Sequence, residues 1–145
     1  MPSPAFVVDA AKVRTNLAVL RAIGDASGAK VLAALKAFSM WSLGPTVAEY
    51  LDGVCASGLF EARLGREQYG GEVATYCAGY KDAELPEIAR LSDHLIFNSP
   101  FQIARFRPLL DQLRSEGLTF DIGLRLNPEH SEGEVAKYRS RRAVQ

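Results

Sequence analysis

Apolar runs alternate with amphipathic stretches along most of the chain, the pattern of repeated β/α units around a parallel sheet. Residues 5–8, Ala-Phe-Val-Val, read as a strand, and Asp9 then caps a helix whose apolar face carries Val13, Leu17, Leu20 and Ile23, until Gly24 to Gly28 breaks it. Residues 30–36, Lys-Val-Leu-Ala-Ala-Leu-Lys, form a continuous apolar run between two charges, as in a strand covered on both faces. Further strands are predicted over 53–56, 73–78, 94–97 and 119–126, with helices over 44–51, 59–69, 83–91 and 100–116. The short spacing between these elements is that of βα repeats.

Such repeats build either an open doubly wound sheet or a closed eight-stranded barrel, and the barrel takes about 250 residues. A chain of 145 residues holds about five of the eight strands. No G-x-G-x-x-G follows a predicted strand and no G-x-x-x-x-G-K-[ST] occurs, which removes the main support for a nucleotide-binding open sheet. Gly70 and Gly71, the one glycine pair, read as a helix C-cap.

Composition narrows the partners. Apolar residues make up 48% of the chain, enough for a sizeable core, and 17 basic residues balance 17 acidic ones. No net field draws in nucleic acid or an anionic membrane, so a small molecule is the expected partner. The N-terminus has no basic, apolar leader pattern and no run is long enough to span a bilayer, so the expected location is the cytoplasm. Cys55 and Cys77 lie in apolar strand-like runs without metal-pair spacing and read as buried reduced thiols; no metal is expected.

Lys36 is the residue with the clearest chemical reading. It ends an apolar strand, and in a βα barrel the loops that follow strand ends converge on the catalytic face. A lysine partly desolvated there presents a free amine for carbonyl chemistry, whereas a lysine that simply snorkels into water has no such role. Spacing leaves both open.

The segment Ala34-Leu35-Lys36-Ala37-Phe38-Ser39-Met40-Trp41-Ser42 resembles the cofactor-lysine segment of the carboxynorspermidine and carboxyspermidine decarboxylases, which belong to the alanine racemase and ornithine decarboxylase fold group. In the same order, Ser3-Pro4-Ala5-Phe6-Val7-Val8-Asp9 is similar to the first strand of that group, and Ala56-Ser57-Gly58-Leu59-Phe60-Glu61-Ala62-Arg63-Leu64-Gly65 to its second-strand turn and helix. Ile96-Phe97-Asn98-Ser99 with Gln102, and Gly123-Leu124-Arg125-Leu126-Asn127-Pro128, are also similar to family segments.

The resemblance implies an α/β chain that forms the N-terminal portion of a pyridoxal-5'-phosphate-binding (β/α)8 barrel, with Lys36 as the catalytic lysine that holds the cofactor. It further implies decarboxylation of carboxynorspermidine or carboxyspermidine in polyamine biosynthesis, by an intact enzyme that is a homodimer. Ser57, Glu61 and Arg125 are then cofactor-binding candidates, Arg125 near the phenolic oxygen, where a guanidinium donates to developing negative charge. Glu61 also suits a helix start on dipole grounds alone, Arg125 a surface ion pair, and Asn98 or Ser99 an N-cap. Val54 stands where ornithine-type relatives carry an aspartate, a departure that argues against a plain diamine-forming decarboxylase.

Trp41 shapes a substrate channel or anchors its loop. His94 opens a strand away from the expected catalytic face and His130 lies in a polar segment, so neither resembles the ring-stacking histidine of the family. The resemblance places the phosphate-holding groups and the proton donor, a cysteine of the partner subunit, beyond this region.

Residues 1–138 thus read as a partial barrel domain, without the C-terminal β domain, and the chain alone is expected to be inactive or poorly soluble because edges and barrel interior stand open. Residues 139–145, Arg-Ser-Arg-Arg-Ala-Val-Gln, depart from the family; allowed codons read one base later spell Asp-Pro-Ala-Ala-Pro-Cys-Ser, a family-like continuation, so a frameshift competes with an ordinary cut fragment. The alternatives within the fold group are diaminopimelate decarboxylase and an alanine-racemase type enzyme, and outside catalysis a cofactor-binding protein. Phe38-Ser39-Met40-Trp41 differs from the Tyr-Gly-His type sequence that racemases carry after the lysine.

Overall fold

The computed structural model describes residues 3–128. The tail 139–145, the boundary at 138 and His130 lie outside the described residues. Helix α1 (Ala10–Ser27) is followed by β1 (Leu32–Ala34), a 3-10 turn (Trp41–Leu43), α2 (Gly44–Ala48), β2 (Gly53–Ala56), α3 (Leu59–Leu64) continued by a π turn (Gly65–Tyr69), β3 (Glu72–Tyr76), α4 (Leu85–Leu91), β4 (His94–Phe97), α5 (Pro100–Ser115) and β5 (Asp121–Leu124). All five strands are parallel, in the order β1-β2-β3-β4-β5. Sequential neighbours of this kind are what the first part of a βα barrel requires.

Period-two alternation sorts the strand residues between two faces. Val54, Ala56, Val73, Leu95 and Phe97 are buried against helix residues such as Leu17, Val47, Ala62, Ile88 and Leu110. Between these positions Cys55 is exposed, because no second layer among the described residues covers the other face of the sheet. The expectation of two buried thiols is therefore corrected: Cys55 is exposed and Cys77 half-buried, its Sγ 3.3 Å from the Gly79 carbonyl oxygen.

Local signals explain most boundaries. Asp9 caps α1 by accepting from the amides of Ala11 (2.9 Å) and Lys12 (3.2 Å), and α1 runs through Gly24 to end at Gly28 in the left-handed region, φ 70°. Of its predicted apolar face only Leu17 is buried; Leu20 and Ile23 are exposed. Gly70, φ 72°, ends the π turn as expected of a C-cap glycine.

Residues 5–8 do not form the predicted strand. Phe6 and Val7 are exposed, and no described strand pairs with them. A β pattern without a neighbouring edge has no ladder to join, so apolar alternation alone does not make a strand. Among the described residues no helix is long and apolar enough to cross a membrane.

Candidate functional site

The C-terminal ends of the strands carry the residues singled out from the sequence. Leu35 extends the β1–β2 ladder by donating its amide to the Cys55 carbonyl at 3.0 Å, and its side chain is buried. The chain then turns, with the amides of Ala37 and Phe38 both donating to the Ala34 carbonyl, at 2.9 and 3.0 Å. Lys36 sits within this turn, exposed, with no hydrogen bond or ion pair among the described residues. Two expectations change. Strand β1 stops at Ala34 instead of reaching Lys36, and Lys36 is exposed among the described residues.

At the next strand end, the Ser57 amide donates to Glu61 Oε2 at 2.9 Å. Gly58 lies between β2 and α3 with an extended φ of 167°, and Glu61 is in the first turn of α3. The structure thus brings Ser57 and Glu61 together through a local bond that closes the turn into the helix, satisfying one amide near the helix start. That bond is enough to account for an acid at this position.

Three strands meet around Arg125. Its amide donates to the Phe97 carbonyl at 2.9 Å, carrying the β4–β5 ladder one residue further. Its guanidinium lies 5.8 Å from the centre of the Tyr76 ring, and Nη1 is 3.5 Å from Asn98 Oδ1. The Tyr76 hydroxyl donates to the same Asn98 Oδ1 at 2.9 Å. Asn98 is held by Gln102, whose Oε1 accepts from the Asn98 amide (3.3 Å) while Nε2 donates to the Ala78 carbonyl (2.7 Å). Ser99 is the N-cap of α5, accepting from the Gln102 amide at 3.3 Å. Tyr76 is the member that the sequence reading missed. Its one signal was alternation in β3, where Val73 and Thr75 take the helix side and Tyr76 the other.

These groups are not in mutual contact. Lys36 follows one edge strand and Arg125 the other, with β2, β3 and β4 between them. Trp41 opens the 3-10 turn and is exposed.

His94 lies at the opposite, N-terminal end of the sheet. Its Nε2 is 3.4 Å from Glu72 and its Nδ1 3.4 Å from Asp121. Lys30 also pairs with Glu72, and its ammonium holds that carboxyl below the usual carboxylate range. His94 therefore belongs to a polar cluster with Glu72 and Asp121 at the far end from Lys36.

No family model matches the chain. Curated proteins similar to it include three decarboxylases. The carboxynorspermidine/carboxyspermidine decarboxylase of Campylobacter jejuni is 38% identical over 136 residues, 94% of this chain and 35% of the relative. The enzyme of the same description from Herminiimonas arsenicoxydans is 37% identical over 126 residues, 87% of this chain and 33% of the relative. The carboxyaminopropylagmatine decarboxylase of Synechocystis is 36% identical over 138 residues, 95% and 34%. A crystal structure of carboxynorspermidine decarboxylase from Campylobacter jejuni, complexed with norspermidine, matches with a TM-score of 0.83 at 37% identity, over 93% of this chain and 35% of that one. The chain spans about a third of the length of the curated relatives it matches.

Proposed function

The chain corresponds to the N-terminal part of the carboxynorspermidine/carboxyspermidine decarboxylases, and on that premise we propose that it carries the cofactor-holding lysine, Lys36, of a pyridoxal-phosphate-dependent decarboxylase of carboxylated polyamines. The observation that supports this most is the state of Lys36: an exposed amine without an ion-pair partner among the described residues, placed just past the C-terminal end of β1. Lysines 30 and 81, by contrast, are engaged by Glu72 and Glu84, and Lys12, which also has no ion-pair partner among the described residues, lies in helix α1 and not at a strand end.

The residues present fit such a cofactor on its carbonyl and phenolic sides. Lys36 supplies the primary amine that anchors a carbonyl carbon. Arg125, held by Asn98 and stacked near Tyr76, supplies donors to an oxygen that gains negative charge. Ser57 and Glu61 fix the β2–α3 turn beside β1. When bound, pyridoxal phosphate supplies the electron sink for the pair left on the α-carbon by loss of carbon dioxide.

The proposed substrates are carboxynorspermidine and carboxyspermidine, giving norspermidine and spermidine, with a homodimer as the proposed form of the intact enzyme. The names of the relatives share a carboxylated unit and differ in the amine attached to it. We therefore assign the substrate class and not the length of the amine.

Incubating the chain with pyridoxal phosphate, reducing with borohydride and mapping the labelled peptide tests the assignment. The label is expected on the peptide containing Lys36 in preference to those containing Lys12, Lys30 and Lys81, and is expected to vanish from that peptide in Lys36→Ala. Equal labelling of all these lysines would remove Lys36 from the role.

A further inference from the structure

We propose that Asn98 is a positioning residue: its neutral carboxamide holds Arg125 in place without cancelling its charge, so that the guanidinium receives an oxyanion at the C-terminal end of the sheet. The inference rests on the functional reading above, in which that oxyanion is the phenolic oxygen of the cofactor, and it adds the residue that aims the receptor.

The pairing of most of the other arginines carries the argument; Arg114, which lies over the Phe120 ring and donates to the Phe120 carbonyl, is an exception, and no side-chain amide among the described residues orients it. Arg63 meets Glu87, Arg66 meets Asp93 and Arg105 meets Asp82, each with a carboxylate oxygen within 2.8 Å. Each of those positive charges is neutralised where it sits. Arg125 instead faces the carbonyl oxygen of an amide and the ring of Tyr76, and no carboxylate among the described residues pairs with it. A neutral acceptor orients a guanidinium through one of its five donors and leaves the full charge and the other donors for a ligand.

The support for Asn98 is built from three directions. Its Oδ1 uses its two lone pairs on two donors, Tyr76 Oη at 2.9 Å and Arg125 Nη1 at 3.5 Å. Gln102 clamps its backbone amide, and the other end of Gln102 is tied to the Ala78 carbonyl past β3. The array therefore links the ends of β3, β4 and β5 through polar groups that carry no charge except the guanidinium. A network of this kind makes sense where an anion is to be received and little sense as a surface staple, for which Asp at position 98 would be the stronger partner.

The test compares pyridoxal phosphate with 3-deoxypyridoxal phosphate, which lacks the phenolic oxygen, in binding to the chain, with borohydride trapping at Lys36 as the second readout. The wild-type chain is expected to prefer the parent compound by about tenfold, the value of one charge-assisted hydrogen bond. Asn98→Asp pairs Arg125 with a carboxylate and is expected to bring the ratio close to one while Lys36 is still trapped. Asn98→Ala removes the anchor without adding charge and is expected to give an intermediate ratio. Asn98 is exposed and Asp is its isostere, so circular dichroism should show an unchanged fold. Trapping at Lys36 with the same ratio in wild type and Asn98→Asp, or no preference in the wild type, overturns the inference alone. Absence of trapping at Lys36 in the wild type overturns the functional reading, and the inference with it.

Discussion

The carboxylate of Asp93 accepts a hydrogen bond from the amide of Val73 at 2.8 Å, with Arg66 Nη2 at 2.8 Å from the same oxygen. The same device occurs two units earlier, where Asp52 Oδ2 accepts from the Val31 amide at 2.8 Å. Each aspartate precedes its own strand and holds the start of the neighbouring one, so a side chain stands in for a ladder bond at the N-terminal end of the sheet.

Val73 is fully buried, and removal of the Asp93 carboxylate leaves its amide without this acceptor. Asp93→Ala is therefore expected to cost about 1–3 kcal/mol in urea unfolding. Burial pushes the Asp93 carboxyl up, but the Val73 amide and Arg66 together outweigh it and hold the group below its ordinary value. The folded pKa is depressed, so its contribution is complete above the ordinary aspartate range and is lost as pH falls through the lower folded value. Wild type should lose stability steeply on acidification and Asp93→Ala less so; parallel acid slopes for the two would refute the assignment.

Gly53 is a position where only hydrogen fits. A Cβ there would overlap the backbone of Glu72, its partner in the β2–β3 register. Gly53→Ala should cost about 3 kcal/mol, because backbone on both sides must move. Gly79→Ala, where nothing lies within 4 Å, should stay within about 0.5 kcal/mol. Similar unfolding midpoints for both variants would show that β2 and β3 can separate locally.

Thr75 and Ser92 share one buried hydrogen bond, Oγ1 to Oγ at 2.7 Å. Thr75→Val leaves the Ser92 hydroxyl buried without this partner and should cost about 1–3 kcal/mol. The double variant Thr75→Val with Ser92→Ala removes both polar groups and should recover most of that loss. A double-mutant cycle with no coupling would mean that the bond adds nothing to stability.

Pattern alone located β2 and β4 to the residue, because in 53–56 and 94–97 the apolar run and the paired segment coincide. It failed at residues 5–8 for lack of a partner edge, and it overran β1 because the turn at Ala34 to Phe38 is made by backbone bonds that apolarity does not report. The exposed Leu20 and Ile23 of α1 show the same limit: periodicity identifies a face and not what covers it. At the site, Lys36 and Arg125 were legible as charged residues that end apolar runs. Tyr76 was not, since its meeting with Asn98 and Arg125 depends on the register of three strands. Gln102 was visible only as a family match, while its bond to Ala78 spans 24 residues.

Two buried tyrosines should answer oppositely to loss of the hydroxyl. Tyr69 Oη has no partner among the described residues, whereas Tyr80 Oη donates to the Thr75 carbonyl at 2.7 Å with the Ile96 carbonyl at 3.2 Å. Tyr69→Phe should be neutral or gain about 1 kcal/mol, and Tyr80→Phe should cost about 1–3 kcal/mol. Burial pushes both phenols above the ordinary tyrosine value, Tyr80 the further. Their folded pKa values exceed the unfolded one, near 10, so the native state holds protons that the unfolded chain releases above that pH. The stability this brings is complete below about pH 10 and declines as pH rises toward the folded values. Ultraviolet titration should show the buried pair ionising only as circular dichroism reports unfolding. Ionisation of every tyrosine in one step near pH 10, with the dichroism intact, would rule out the buried environment of both.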